Sequence, residues 1–308
     1  RKQVASMEDM ITGLCPQCGH TLHIPAELAS FSCMYCGTRL TKEQLAAEPP
    51  AAQEADEDRA AYYDRAVSRL GWCIKNFGGY QKKIMRDVFF EAFETYETGC
   101  APVIQELARG VAPEQQTQLL GRAAAAMLDE LEAGWQKKGD MEDEKIVLAI
   151  FFVPMVRKQQ LPISEEFVTI LQKQWVERYP KSPFYLGDYE SISGGFRKKF
   201  LGLCFITTAV CQELGKPDDC EELTAFRAFR DGYLRFQPDG EALIREYYNI
   251  APGIVTCINT CSDRHASYAR IREEYLAPCY QDLLAGRNES CKARYVRMVR
   301  DLEREYLS

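Results

Sequence analysis

Two short cysteine pairs are the residues of this chain best placed to do chemistry: Cys15-Pro-Gln-Cys18-Gly and Cys33-Met-Tyr-Cys36-Gly, separated by 14 residues. A two-residue spacing lets both thiolates of a tight turn reach one ion. The glycine after each pair accepts the left-handed backbone that backbone-to-sulfur hydrogen bonds require. Four thiolates select a tetrahedral ion, zinc or iron. Cysteine takes all four positions, so no coordination site is left for water. The expectation is one structural Zn2+ per chain, held by Cys15, Cys18, Cys33 and Cys36. His20 and His23 lie between the pairs and read as strand or turn residues rather than ligands.

A second stretch invites chemistry for a different reason. "CFITTAVCQELG", Cys204 to Gly215, sets two cysteines seven residues apart with two threonines between them. At helical spacing Cys204, Thr207 or Thr208, and Cys211 share a face, while Phe205 and Ile206 lie off it. A helix that is apolar or small nearly all round is expected to be buried. Three readings of Cys204 stand. As a core residue it needs nothing more, and this is the preferred reading because free cysteine is among the most buried residue types. As a nucleophile it needs a lowered pKa, supplied by a helix N-terminus, by a base such as His265, or by Arg197-Lys198-Lys199. As a ligand of a second metal it joins Cys211 or Cys220 with Cys257, Cys261 and His265, which follow one another at four-residue steps in "CINTCSDRH". Downstream, Arg227 and Asp231 are spaced as an exposed helix pair. Arg230 and Asp231, if turned inward, would tie the 204 helix to its neighbours, a structural role preferred to a catalytic one.

The elements that must position these residues are mainly α-helical, with a small β unit at the N-terminus. Residues 11–43 carry both cysteine pairs with short apolar-alternating pieces between them, too few residues to build a core without a staple. Residues 1–10 read as a flexible N-terminus and 44–58, with five acidic residues and no basic one, as a solvated acidic linker. From Arg59 the pattern is helical. Tyr62, Ala66, Val67, Leu70, Ile74 and Phe77 form one apolar stripe, and Ile84, Met85, Val88, Phe89, Phe93 and Tyr96 a second. Pro113 fits the first turn of a helix reaching Lys138, with Gly139 ending it. Ser164 is placed to cap a helix that stops near Tyr179, before Pro180. Residues 180–196, with two prolines and three glycines, read as a long loop. Asp219 and Glu222 resemble a capping box for a helix ending at Gly232. A helix near 240–250 is expected to break at Pro252, with another over about 253–265 and one or two charged amphipathic helices from Tyr268 to Leu307. These patterns divide the body into helical domains over 59–199 and 200–308.

Composition narrows the function classes. The 308 residues are 46% hydrophobic and 27% charged, enough for a sizeable core. A formal net charge of -7 argues against binding polyanions by bulk electrostatics. The longest apolar runs, 146–156 and 200–210, have 11 residues each, against roughly 20 for a membrane-spanning helix. No membrane association is expected. "RKQVASMEDM" has no apolar run behind its basic residues and is not a secretion signal. Of thirteen cysteines, four have metal spacing and nine are scattered, which suits a reducing compartment; the expected location is the cytoplasm. No apolar heptad long enough to specify a coiled-coil dimer is present, and the oligomeric state is open.

Two family resemblances follow from the motifs quoted. Residues 11 to 40 or so resemble the zinc-ribbon family, whose members bind nucleic acid, bind proteins or merely fold. Arg39 and Lys42 against Glu27 and Glu43 leave the segment with no net charge, which favours protein docking or pure structure over nucleic acid. "CFITTA", "LTAFRAFRDGYL" and "IREYYNIAP", spanning about Leu201 to Pro252, resemble the CFI-box C-terminal domain of bacterial proteins. The matching positions are Cys204 to Ala209, then Phe229, Arg230 and Asp231, then Tyr247, Tyr248 and Pro252. Thr207 stands where that family usually has alanine, and "VCQELG" replaces its small polar turn. The resemblance implies a helical fold and a bacterial source, and no reaction. The expected function is a non-enzymatic interaction or scaffold protein whose zinc ribbon docks a protein partner. The alternatives are a thiol-dependent enzyme using Cys204 with His265 as base, and a nucleic-acid-binding regulator acting through the ribbon.

Overall fold

A computed structural model of the chain describes residues 10–17, 21–26, 28–45, 56–197 and 204–308. Cys18, His20, Lys198, Lys199 and Leu201 lie outside the described residues, as do most of the acidic linker and the first nine residues. The chain divides into two compact units, residues 1–57 and 58–308. It is mainly α, with a small β element at the N-terminal end.

The first unit is two antiparallel hairpins. β1 (Met10–Leu14) pairs with β2 (Thr21–Pro25), from Met10 opposite Pro25 to Leu14 opposite Thr21. β3 (Ser30–Ser32) pairs with β4 (Arg39–Thr41), Phe31 facing Leu40. Leu22, Ile24 and Leu40 are buried together with Cys15 and Cys33, and Phe31 and Leu45 pack against them. Among the described residues three aliphatic side chains are buried there, so the cysteines are central to that core.

The second unit contains α1 (Asp56–Leu70), α2 (Trp72–Lys75), α3 (Phe89–Gly110), α4 (Gln116–Gly134), α5 (Lys138–Val147), α6 (Val153–Lys158), α7 (Ser164–Arg178) and α8 (Tyr189–Arg197). It continues with α9 (Phe205–Glu213), α10 (Glu221–Gly232), α11 (Gly240–Cys261), α12 (Arg264–Ile271), α13 (Ala277–Leu284) and α14 (Asn288–Tyr306). A π-helical turn over Leu148–Phe152 joins α5 to α6. Every residue from Ile146 to Val156 is buried, which explains that apolar run: it is the spine of the core. Among the described residues no helix is long and apolar enough to cross a membrane. Phe151 sits among Tyr80, Phe89, Phe93 and Tyr96, with ring centroids 5.1 to 6.1 Å away.

Residues on both sides of position 200 contribute to one continuous core. Backbone bonds cross that position: Arg86 N donates to Asn249 O at 2.9 Å, and Tyr185 N to Thr260 O at 2.8 Å.

Several helix boundaries differ from the sequence expectations, each for a local reason. Ile84, Met85 and Val88 precede α3 rather than belonging to it, because 80–83 form a 3-10 turn that folds them onto α11. The Pro113 helix ends at Gly134, where Trp135 turns extended, and Gly139 lies inside α5. Ser164 opens α7 without capping it; its hydroxyl accepts from Leu161 N and donates to Val156 O, tying α7 to the end of α6. Half of the 180–196 loop is α8, whose Ile192 and Phe196 are buried, Phe196 stacked on Phe89 at 4.2 Å. Cys220, not Asp219, occupies the cap position of α10, and Glu222 pairs with Lys216 instead of closing a capping box. α11 runs through Pro252 without ending. Ala251 to Ile254 are buried, and one turn before the proline the Asn249 carbonyl accepts a tertiary bond from Arg86 N, which ties this stretch of α11 to the chain ahead of α3.

Candidate metal centre and the surroundings of Cys204

Cys15 follows β1, Cys33 follows β3, and Cys36 lies in the turn before β4. The three sulfurs lie within 4.8 Å of one another, and Cys15 Sγ is 3.7 Å from Cys36 Sγ. A tetrahedron with metal–sulfur bonds of about 2.3 Å has edges of about 3.8 Å, so this spacing fits a bound ion without rearrangement. The second knuckle has the backbone such a site requires. Gly37 has φ +75, Gly37 N donates to Cys33 O at 2.8 Å, Cys33 N donates to Thr38 O at 2.9 Å, and the Thr38 hydroxyl lies 3.2 Å from Cys36 Sγ. Cys15, Cys33 and Cys36 form a cluster able to hold a metal ion, and among the described residues no other His, Cys, Asp or Glu trio comes this close.

Cys204 occupies the cap position of α9, and its carbonyl accepts from Thr208 N at 2.6 Å. It is 5% exposed. Arg230 turns inward from α10: Nη1 lies 3.7 Å from Cys204 Sγ and donates to Tyr248 Oη at 3.0 Å, while Nε and Nη2 hold both Asp231 oxygens at 2.8 and 2.6 Å. The hydrogen bonds from Arg230 hold the Asp231 carboxyl below its ordinary value. Burial pushes the Cys204 thiol up, and Arg230 and Arg227 offset this only in part. A helix N-terminus and a guanidinium favour a thiolate, but desolvation outweighs them and the group stays neutral.

The structure does not bring Cys204 and His265 together. His265 is 79% exposed on α12 and faces Glu213, the last residue of α9. Cys204 stands at the opposite end of that helix, roughly 13 Å away at about 1.5 Å per residue. Nor do Cys257, Cys261 and His265 form one face. α11 ends at Cys261, and Asp263 caps a new helix that carries His265 into solvent, leaving the two cysteines buried. Cys211 and Cys220 approach each other, with sulfurs 3.9 Å apart, but not Cys257. Arg197 pairs with Glu190. Arg227 bonds the Asp218 carbonyl and carboxylate at 2.7 and 2.9 Å, so the expected Arg227–Asp231 pair does not form.

Two polar clusters went unread in the sequence. Tyr247 Oη accepts from Ile206 N at 2.9 Å and from Tyr295 Oη at 3.3 Å, and Tyr295 lies 3.2 Å from Thr207 Oγ1. Thr207 thus bonds across to α14 rather than back along its own helix. Lys145, buried in the spine, donates to Ser182 Oγ at 2.8 Å and pairs with Glu142. Positions 207, 247 and 295 share no local pattern, so only the packing of α9, α11 and α14 reveals the first cluster. Compared with protein-family models, curated proteins and solved structures, the chain matches none of them.

Proposed function

We propose that this chain is a non-enzymatic interaction protein in which an N-terminal zinc ribbon docks a protein partner. The observation that carries the reading is the second knuckle. Its two inner residues, Met34 and Tyr35, are 81% and 57% exposed on a turn whose ends are the ligands Cys33 and Cys36. An apolar pair presented on a turn fixed by a metal loses little entropy on binding, as a protein contact favours. Cys18 would complete a four-thiolate set closed to water, which supports a structural zinc rather than a catalytic one. The balanced charge of residues 11–43 speaks for protein over nucleic acid.

Cysteines scattered through the helical unit, none in a disulfide among the described residues, fit a reducing compartment, and we place the protein in the cytoplasm. The likeness of 201–252 to the CFI-box domain supports a bacterial source. The thiol-enzyme reading loses its base, since His265 stands at the far end of α9 from a neutral, buried Cys204.

Metal analysis should find one zinc per chain, and none in Cys36→Ser. A photo-crosslinker placed at Tyr35 should then yield a discrete protein adduct in the source cells, lost with Cys36→Ser. Adducts to nucleic acid alone, or adducts that persist without zinc, would sink the docking reading.

A further inference from the structure

A cleft in the helical unit has no part in the ribbon's role. Its interior holds about 60 Å³ and is partly open to solvent. Its walls are Phe226 and Phe229 of α10, Leu243 and Ile244 of α11, and Val296 and Val299 of α14. The half-exposed ion pair of Arg300 and Glu246, bonded at 2.6 and 2.7 Å, marks the rim. Cys204, Arg230, Tyr247 and Tyr295 also line it.

The charges around this cleft are spent. Arg230 is held by Asp231, Tyr248 and Cys204, and Glu246 by both arms of Arg300. Among the described lining residues, an ion entering would find no unpaired charge to meet it. Among them one hydroxyl donor is left over. A phenol has two lone pairs and one proton. Tyr247 receives bonds from Ile206 N and from Tyr295, whose own proton is thereby used, so Thr207 donates to Tyr295. The chain Thr207, Tyr295, Tyr247 therefore runs in one direction and ends on the Tyr247 proton, in an otherwise apolar cleft.

We propose that this cleft binds a small uncharged ligand with an aliphatic body and a carbonyl oxygen, which accepts the proton of Tyr247. The apolar walls supply the affinity and the single donor fixes the orientation. Burial holds the Tyr247 phenol well above its ordinary value, so the donor persists at any physiological pH.

Calorimetric titration of the full chain with 2-nonanone, nonanoate and nonylammonium tests the proposal without any substitution. The ketone should bind one to one and saturably, at least tenfold more tightly than either ion. Tyr247→Phe, which removes only the hydroxyl, should weaken ketone binding about fivefold, and Val296→Trp, which fills the cleft, should abolish it. Circular dichroism melts verify that both variants are folded. Tighter binding of nonanoate, ketone binding that survives Val296→Trp, or no saturable binding up to the solubility limit of the ketone would each overturn the proposal.

Discussion

Burial keeps the thiols of the α11 cysteines neutral: Cys261 is pushed from 9.0 up to about 12, and Cys257 well above its ordinary value. The folded pKa is raised, so this stability is complete below about pH 9 and is lost as pH climbs toward 12. Unfolding free energy measured from pH 8 to 11 should fall, by at most about 1.4 kcal/mol per unit for each thiol. Replacing both cysteines by alanine should flatten that slope. Lys145 leads to a different expectation. Its ammonium is sealed in the core, whereas Glu142 is 47% exposed and keeps the Ser182 hydroxyl as a partner. Lys145→Met should therefore stay within about 1 kcal/mol of the parent in denaturant titrations, since methionine escapes the desolvation cost of a buried charge. The cysteine cluster was legible at this scale because ligand chemistry imposes a spacing on neighbours in sequence. The Tyr247 relay was not, because its members meet only across three helices.

α11 shows how an element can escape its own local signals. Pro252 and Gly253 are both helix breakers, yet the helix continues because Ile84 closes onto Gly253 so tightly that a Cβ there would overlap its carbonyl oxygen. Gly253→Ala forces a backbone carbonyl, not a flexible side chain, to move, and should cost about 3 kcal/mol in chemical denaturation. Gly110, at the end of α3, lies equally close to the backbone of Tyr63 and should respond in the same direction. Apolar stripes located α1 and α3, the tail read as one or two helices holds α13, α14 and the second half of α12, and α8 was missed because its glycines and short length hide a stripe of only Ile192 and Phe196. Caps misled at Ser164, whose hydroxyl bonds Val156 of α6, and at Asp219, where Cys220 takes the cap position and Glu222 pairs with Lys216.

The two units have separate hydrophobic cores, one gathered on the cysteine cluster and one on the Ile146 to Val156 spine. Removing the proposed zinc should unfold the first and spare the second. With a chelator, amide signals of residues 10–45 should collapse in NMR spectra, while the helical circular dichroism and its melting temperature stay unchanged. Loss of the helical transition on chelation would contradict this division. By itself the sequence determined the helical class, the pairing that gathers Cys15, Cys33 and Cys36, and the burial of the 204 helix, because each is written in short local spacings. Tertiary structure alone decided that Cys204 meets Arg230 and not His265, that α11 crosses its proline, and that three hydroxyls line up at an apolar cleft. These depend on contacts between residues 26 to 169 positions apart, and helical periodicity carries no information about which distant face a side chain will meet.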